Sequence, residues 1–156
     1  MTTSVGIISD THGLLRPEAV AALKGSHYIV HAGDVGDEQI LRTLAAIAPV
    51  TAVRGNVDYD AWAQRLPLTA VLDVDGVRIY AVHDIGTLDI DPPAAGVDVV
   101  VFGHSHQPGI EHRDGVMYLN PGSAGPRRFN LPVSIARLTV GDGGAKAEIV
   151  EILPSP

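Results

Sequence analysis

The first third of the chain alternates short apolar runs with amphipathic segments, and this alternation constrains the fold more than any other feature. Three apolar runs bounded by polar residues or glycine are predicted strands, at residues 5–8, 27–30 and 50–53. The two segments between them carry helix signals, because Pro17 stands near the start of the first and Asp37 can cap the second. Strands and helices in this order form parallel sheets with right-handed crossovers. The sequence therefore predicts an α/β fold.

The rest of the chain is rich in strand signals. It contains one buried apolar run at residues 97–102 and three turn sequences that favour hairpins, at 75–76, 114–115 and 141–144. Two packed mixed sheets flanked by helices would cover this number of apolar strands. Because 156 residues correspond to one domain of ordinary size, we expect a single domain over residues 1–156.

The composition argues against several functional classes. Eighteen acidic against eleven basic residues give a net charge of −7, which disfavours an extended nucleic-acid surface and binding to anionic membranes. The absence of cysteine removes disulfides, thiolate metal sites and cysteine nucleophiles. No run approaches the roughly 20 apolar residues of a membrane span, and the polar block from Ser9 to His12 comes too early for a signal-peptide core. We therefore expect a cytoplasmic protein without a membrane partner.

Side chains that suit metal binding follow the predicted strands at the points where the strands end. They are Asp10, His12, Asp34, Asn56, His83, His104 and His106. In open α/β sheets, ligands bind beyond the carboxyl ends of the strands, so we expect these side chains to meet at one edge. Residues 10 and 12 are two positions apart, as are 104 and 106, and in extended backbone such pairs point the same way.

The chemistry of this set indicates two metal ions. Carboxylate, imidazole and amide oxygen together suit Mn²⁺, iron, Zn²⁺ or similar ions. Seven ligands are too many for one catalytic ion that keeps open positions, but they suit two ions sharing a carboxylate. Two ions about 3.5–4 Å apart stabilise the attacking and leaving oxygens of an in-line displacement at phosphorus. Taken alone, Asp34 and Asn56 beside glycine are typical turn residues; their occurrence together with the histidines favours a metal site.

These residues stand in sequence blocks that resemble the metallophosphoesterase (calcineurin-like phosphoesterase) superfamily, and within it the small single-domain prokaryotic phosphodiesterases. The blocks, in order, are Asp10-Thr11-His12, Gly33-Asp34, Gly55-Asn56, His83, and Gly103-His104-Ser105-His106. One block alone would mean little, but five in order across most of the chain are a specific signal. The resemblance implies a four-layer αββα sandwich, which agrees with two mixed sheets flanked by helices.

The resemblance also implies how the ligands are shared. One ion would be held by Asp10, His12, Asp34 and His106, and the other by Asp34, Asn56, His83 and His104. Asp34 would bridge the ions, and a hydroxide between them would attack a phosphodiester in line. Mn²⁺ is the expected ion, with Fe, Zn, Ni and Co left open. Asp34, Asn56 and His104 are the expected catalytic residues, and Asn56 and Arg127 the expected contacts to a small phosphoester substrate.

Two positions depart from the family pattern. Val57 stands where many members have a histidine that protonates the leaving oxygen, so the general acid is unassigned. His83-Asp84-Ile85 replaces a block that usually reads H-G-H, which keeps the expected ligand and alters the residues after it. Asp58 is a candidate for orienting a neighbouring ligand, a role that carboxylates near metal sites commonly have.

Two alternatives to a phosphodiesterase stay open. The family includes scaffolds that act in protein assemblies, although seven retained ligands argue against that role here. A phosphomonoesterase is the other alternative. A monoester carries about two negative charges near neutral pH, and this acidic chain offers no clear basic cluster to hold them. The sequence does not decide between a monomer and a homo-oligomer.

Overall fold

The computed structural model describes residues 2–153 as two five-stranded sheets that pack against each other. The first half of the chain contains β1 (Thr3–Ile8), α1 (Pro17–Leu23), β2 (Tyr28–His31), α2 (Glu38–Ala45) and β3 (Val50–Ala52). The second half contains β4 (Thr69–Val74), β5 (Val77–Val82), β6 (Val99–Val101), β7 (Gly109–Arg113), β8 (Val116–Asn120), β9 (Val133–Gly141) and β10 (Gly144–Leu153). Short 3-10 turns lie at Ala63–Arg65 and Ile85–Thr87.

Each sheet combines parallel and antiparallel neighbours. The first has the order β10-β9-β1-β2-β3, in which β1, β2 and β3 are parallel and Ile7 lies opposite Val30. The second has the order β4-β5-β6-β8-β7, in which β5, β6 and β8 are parallel. In all three hairpin turns an Asp and the following Gly adopt positive φ angles, which match the twist of the paired strands. The predicted α/β start and the three hairpins are confirmed.

The main core lies between the sheets and consists mostly of Val, Ile, Leu and Ala. Side chains of strand β1 alternate between the two faces of the sheet: Val5 and Ile7 face the other sheet, and Ile8 faces the helices. Each fully buried aliphatic side chain contributes about 1.5–3 kcal/mol relative to an exposed one. The packed sandwich therefore gives the strand ends a rigid frame.

Both α-helices cover the outer face of the first sheet, where Leu23 of α1 and Leu44 of α2 are buried. Asp37 caps α2 by accepting a hydrogen bond from the backbone N–H of Gln39 at 2.9 Å, as predicted. A Cβ on Gly6 would lie 2.5 Å from Leu23 Cδ2, so the close approach of α1 to β1 requires glycine. Within residues 2–153, neither helix is long and apolar enough to cross a bilayer.

The outer face of the second sheet is covered by the segment between β5 and β6. Ile85, Leu88 and Ile90 of this segment pack against Tyr80 and Val82. Between residues 83 and 98 the only helical element is a 3-10 turn, because glycines and a Pro-Pro pair interrupt longer helices. The predicted sandwich of two mixed sheets is confirmed, and its fourth layer is formed by this segment.

Candidate metal centre

The carboxyl ends of β1, β2, β3, β5 and β6 meet at one edge of the sandwich, and the loops that follow them bring all seven predicted ligands together. Two groups of potential ligand atoms overlap there: Asp10, His12 and His106 form one, and Asp10, Asp34 and His83 form the other. Asn56 and His104 adjoin the second group, since the rings of His83 and His104 lie 5.3 Å apart. This is the edge at which α/β sheets bind ligands.

The loops reach this edge through left-handed backbone rather than extended backbone. Five of the seven residues have φ angles between +47° and +72°: Asp10, His12, Asp34, His104 and His106. The expectation that the 10/12 and 104/106 pairs converge because their backbone is extended is therefore wrong. The backbone turns sharply after each of these strands. Backbone hydrogen bonds join the loops to one another, such as the bond from the His12 N–H to the Asp34 carbonyl at 2.9 Å. Such conformations cost of order 1–3 kcal/mol each and concentrate at functional sites.

Asp10 lies at the bottom of the site and is fully buried. Its Oδ2 accepts hydrogen bonds from Ser9 Oγ at 2.7 Å and from the backbone N–H of His104 at 3.1 Å. Its Oδ1 faces the histidines, 3.4 Å from His106 Nε2 and 3.6 Å from His12 Nε2. One carboxylate oxygen is thus fixed by the protein and the other is directed into the site.

Asp34 has the same division of roles. Its Oδ1 accepts a hydrogen bond from the backbone N–H of Val57 at 3.0 Å, while its Oδ2 lies 3.2 Å from His83 Nε2 and 3.6 Å from His12 Nε2. His83 Nδ1 lies 2.7 Å from the Ala32 carbonyl, a contact that requires hydrogen on Nδ1 and leaves the Nε2 lone pair facing the site. Asp34 therefore stands between an imidazole of each predicted ligand set, where a bridging ligand would have to be.

The charges of these groups depend on one another. Burial alone would raise the pKa of Asp10, but the nearby imidazoles of His106 and His12 and the hydrogen bond from Ser9 outweigh it and hold the pKa below its ordinary value. The pKa of Asp34 is also lowered, because the contacts from His83 and from the Val57 N–H outweigh burial. At neutral pH both carboxylates are ionised and present two negative charges to the site.

Whether the potential ligand atoms already have hydrogen-bond partners tests whether a metal fits the site. Four side-chain atoms in the described part of the chain are buried and make no hydrogen bond: Asp10 Oδ1, His12 Nε2, His83 Nε2 and His106 Nδ1. An unpaired buried polar group costs about 1–3 kcal/mol, and three of these atoms face one another, since His12 Nε2 and His83 Nε2 lie 3.6 and 3.9 Å from Asp10 Oδ1. These three atoms call for a partner. Two ligand atoms on one ion, with bonds of about 2.1 Å, lie about 3.0–3.4 Å apart. The His83–Asp34 and His106–Asp10 contacts, at 3.2 and 3.4 Å, match that separation.

Asn56 and His104 form the exposed rim of the site. Asn56 Oδ1 accepts a hydrogen bond from His104 Nδ1–H at 3.1 Å, a separation that two ligand atoms on one ion also have. Both side chains belong to the predicted set of the second ion. The donor atoms present therefore fit divalent cations. The number of ions and the individual roles of the seven residues stay predictions.

Supporting residues hold the ligand loops in place. Buried Asp58 accepts hydrogen bonds from the backbone N–H groups of Gly55, Gly36 and Val35, at 2.8, 3.1 and 3.3 Å. It thus joins the loop that carries Asn56 to the loop that carries Asp34, and it contacts backbone rather than a ligand side chain. Ser9 has the corresponding role for Asp10, and only its position directly before that residue could have indicated this in the sequence.

The two arginines after β8 differ in position. Arg127 Nη1 donates a hydrogen bond to the Leu131 carbonyl at 3.2 Å, within its own loop. The charge of Arg128 opposes the rise in the pKa of His12, a rise caused mainly by the nearby Asp10 carboxylate. The substrate contact expected of Arg127 stays a prediction.

His31 is a fully buried histidine behind the site. Its Nδ1 accepts a hydrogen bond from the backbone N–H of Gly33 at 3.1 Å, and its Nε2 lies 3.1 Å from Thr11 Oγ1. Because Nδ1 must accept, the ring is neutral, and burial lowers its pKa to about 4. His31 therefore supports the loop before Asp34 only in its uncharged form.

This lowered pKa predicts a loss of stability in mild acid. The unfolded chain gains a proton on His31 as the pH falls through about 6.5, while the folded chain resists protonation down to about 4. As the pH falls from about 6.5 to about 4, the contribution of His31 to the free energy of unfolding decreases by about 3 kcal/mol. Chemical unfolding in chelator, measured from pH 7 to pH 4, should therefore show a steeper loss for the wild type than for His31→Asn. Equal slopes for the two proteins would contradict this assignment.

Comparisons with known proteins agree with the fold and with the family that the sequence resembles. The domain signature of the calcineurin-like phosphoesterase superfamily matches residues 3–143. A probable metallophosphoesterase of Methanocaldococcus jannaschii is 36% identical over 154 residues, covering 90% of this chain and 78% of that protein. The phosphodiesterase YfcE of Escherichia coli is 29% identical over 155 residues, covering 83% of this chain and 84% of that protein.

Solved structures share the fold at lower sequence identity. Vps29 of Entamoeba histolytica, solved in complex with Zn²⁺, has a TM-score of 0.73 and 24% identity, covering 96% of this chain and 99% of that chain. Likeness at this level shows the fold, whereas the domain match and the 36% identical relative show the family. The chain belongs to the calcineurin-like phosphoesterase superfamily.

Proposed function

We propose that this protein is a phosphodiesterase that depends on two divalent metal ions. The observation that carries the proposal is the group of three buried, unpaired atoms that face one another, Asp10 Oδ1, His12 Nε2 and His83 Nε2, with ionised Asp34 beside them. A protein without a metal would gain stability by replacing such a cluster with apolar or fully paired residues.

The residues divide into two ligand sets with Asp34 between them. Asp10, His12 and His106 would complete the first set, and Asn56, His83 and His104 the second. When bound, two such ions stabilise negative charge on the phosphoryl oxygens and lower the pKa of bound water to roughly 7. The chain itself orients the ligands, since Ser9 fixes Asp10, the Val57 N–H fixes Asp34, and the Ala32 carbonyl fixes His83.

A phosphodiester fits the charges of the site better than a monoester. A diester carries one negative charge, whereas a monoester carries about two near neutral pH. The chain has a net charge of −7, so it offers little surplus positive charge to balance the second negative charge of a monoester. Relatives named as phosphodiesterases support the same class.

A scaffold in a protein assembly is the second candidate, and the likeness to Vps29 is the observation in its favour. That protein has been solved with Zn²⁺, so metal binding alone does not separate the two functions. Turnover does separate them, because a scaffold needs no water-activating centre.

A hydrolysis assay tests the proposal. We expect the purified chain to hydrolyse bis(p-nitrophenyl) phosphate, to lose that activity in excess chelator, and to regain it with Mn²⁺. The kcat/KM for this diester should exceed that for p-nitrophenyl phosphate. No turnover of either ester after Mn²⁺ loading would favour the scaffold, and a higher kcat/KM for the monoester would contradict the diester assignment.

Position 57 should control how strongly the rate depends on the leaving group. The Val57 side chain cannot donate a proton, and general acid catalysis is worth typically 10²–10⁴-fold when the leaving oxygen needs one. Val57→His should therefore raise kcat/KM for a dialkyl phosphodiester by about tenfold or more. For bis(p-nitrophenyl) phosphate, kcat/KM should change little. Val57→Asn is the matched control, because it adds a polar side chain without an acid. Equal changes for both substrates would show that protonation is provided elsewhere.

A further inference from the structure

Asp84 directly follows the predicted ligand His83, and its carboxylate adjoins the rim residue His104. Asp84 Oδ2 lies 4.0 Å from His104 Nε2. On the other side of the same ring, Nδ1 lies 3.1 Å from Asn56 Oδ1. The imidazole of His104 therefore lies between two oxygen acceptors, one of which is itself a predicted metal ligand.

The structure holds Asp84 firmly in this place. Its Oδ1 accepts a hydrogen bond from the backbone N–H of Gly86 at 2.9 Å, which caps the 3-10 turn after β5. Its backbone carbonyl accepts from the Thr87 hydroxyl at 2.7 Å. With Oδ1 engaged by the turn, Oδ2 is the oxygen that faces His104.

His104 needs such a partner more than the other histidines do. Its side chain is 46% exposed, whereas the side chains of His83 and His106 are 5% and 4% exposed and are fixed by packing. The gap of 4.0 Å to Asp84 is longer than a hydrogen bond. Because the ring is exposed, a small rotation can close this gap without displacing core residues.

We infer that Asp84 is a positioning residue for His104. When a metal is bound, Asp84 would accept a hydrogen bond from Nε2–H, so that Nδ1, which donates to Asn56 in the metal-free chain, is free to act as a ligand. Carboxylates that orient a metal-binding histidine also raise the basicity of the ligand nitrogen. The inference rests on the proposed metal centre, and it assigns Asp84 to the second of the two ions.

The alternative is that Asp84 only caps the 3-10 turn. Two variants distinguish this capping role from the positioning of His104. Asp84→Asn keeps an Oδ1 acceptor for the Gly86 N–H and removes the charge that faces His104. Asp89→Asn is the matched control, because Asp89 is an exposed carboxylate that lines the same cavity of about 490 Å³ beside Asn56 and His83.

Mn²⁺ titration of the metal-free proteins, followed by electron paramagnetic resonance and calorimetry, measures the effect. In Asp84→Asn we expect the Kd of one of the two ions to rise about 10–100-fold, with the other Kd within about twofold of the wild type. Asp89→Asn should leave both values unchanged. Identical Kd values in Asp84→Asn and Asp89→Asn, or an equal rise of both Kd values in Asp84→Asn, would overturn the inference.

The wild-type protein alone offers a second readout that does not depend on folding of a variant. Nuclear magnetic resonance of the Zn²⁺-loaded chain with labelled histidine reports which nitrogen of His104 carries hydrogen once the Asn56 contact gives way to the ion. Hydrogen on Nε2 supports the role of Asp84, and hydrogen on Nδ1 contradicts it. A wild type that retains neither Mn²⁺ nor Zn²⁺ would overturn the proposed function, whereas a loaded wild type with hydrogen on Nδ1 would overturn only the role of Asp84.

Discussion

Asp34→Asn should lower kcat for bis(p-nitrophenyl) phosphate at least about a thousandfold, equivalent to about 4 kcal/mol of transition-state stabilisation. The reason is the position of Asp34 Oδ2, 3.2 Å from His83 Nε2 and 3.6 Å from His12 Nε2, between the two ligand sets. An amide in this place retains an acceptor for the Val57 N–H but removes the negative charge that both ions would share. The protein should stay folded, because asparagine tolerates the left-handed backbone of this position, where φ is 56°.

Asp114→Asn is the matched control for this variant. It makes the same chemical change at a residue with nearly the same φ, 52°, in the turn between β7 and β8. Activity and unfolding of this control should match the wild type. An Asp34→Asn variant with more than about a tenth of the wild-type kcat would contradict the bridging role.

Gly55→Ala should disrupt the site through sterics alone. A Cβ on Gly55 would lie 2.1 Å from Asp34 Oδ1 and 2.2 Å from the Asp34 backbone nitrogen, and backbone atoms cannot rotate away as a side chain can. We expect the free energy of unfolding to fall by about 3 kcal/mol and bound metal to decrease, because the loops that carry Asp34 and Asn56 must separate. Chemical unfolding in chelator and elemental analysis of the Mn²⁺-loaded protein measure the two effects.

Gly109→Ala serves as the control for this substitution. A Cβ on Gly109 would meet nothing within 4 Å. Its stability and metal content should stay within experimental error of the wild type. A Gly55→Ala variant that behaves like Gly109→Ala would show that the two ligand loops are less tightly packed than the structure indicates.

Local sequence patterns predicted the elements that depend on local physics. The Asp37 cap, Pro17 at the start of α1 and the Asp-Gly hairpin turns are each fixed by neighbouring residues, and each lies where it was predicted. The meeting of the ligand residues at one edge follows from the order of strands, because parallel strands end on the same side of a sheet. Helices were predicted on both sides of the sandwich, but the segment over the second sheet contains only a 3-10 turn. Glycines and prolines within residues 83–98 prevent a longer helix.

Long-range features of the site could not be predicted from the sequence. Asp58 joins two loops through backbone N–H groups more than twenty residues away, and no local pattern reveals such a contact. The left-handed backbone at Asp10 and His12 likewise arises from hydrogen bonds to the loop after β2. The hydrogen bond from Arg127 to the Leu131 carbonyl and the effect of the Arg128 charge on His12 also depend on the path of the loop after β8, which no local pattern reveals.

The number and coupling of bound ions test the central claim most directly. Metal-free protein is loaded with Mn²⁺, freed of excess metal, and examined by elemental analysis and electron paramagnetic resonance. Two ions about 3.5–4 Å apart that share a carboxylate should give two equivalents of Mn²⁺ per chain and the spectrum of a spin-coupled pair. One equivalent with the spectrum of an isolated ion, or no retained Mn²⁺, would contradict the two-metal centre.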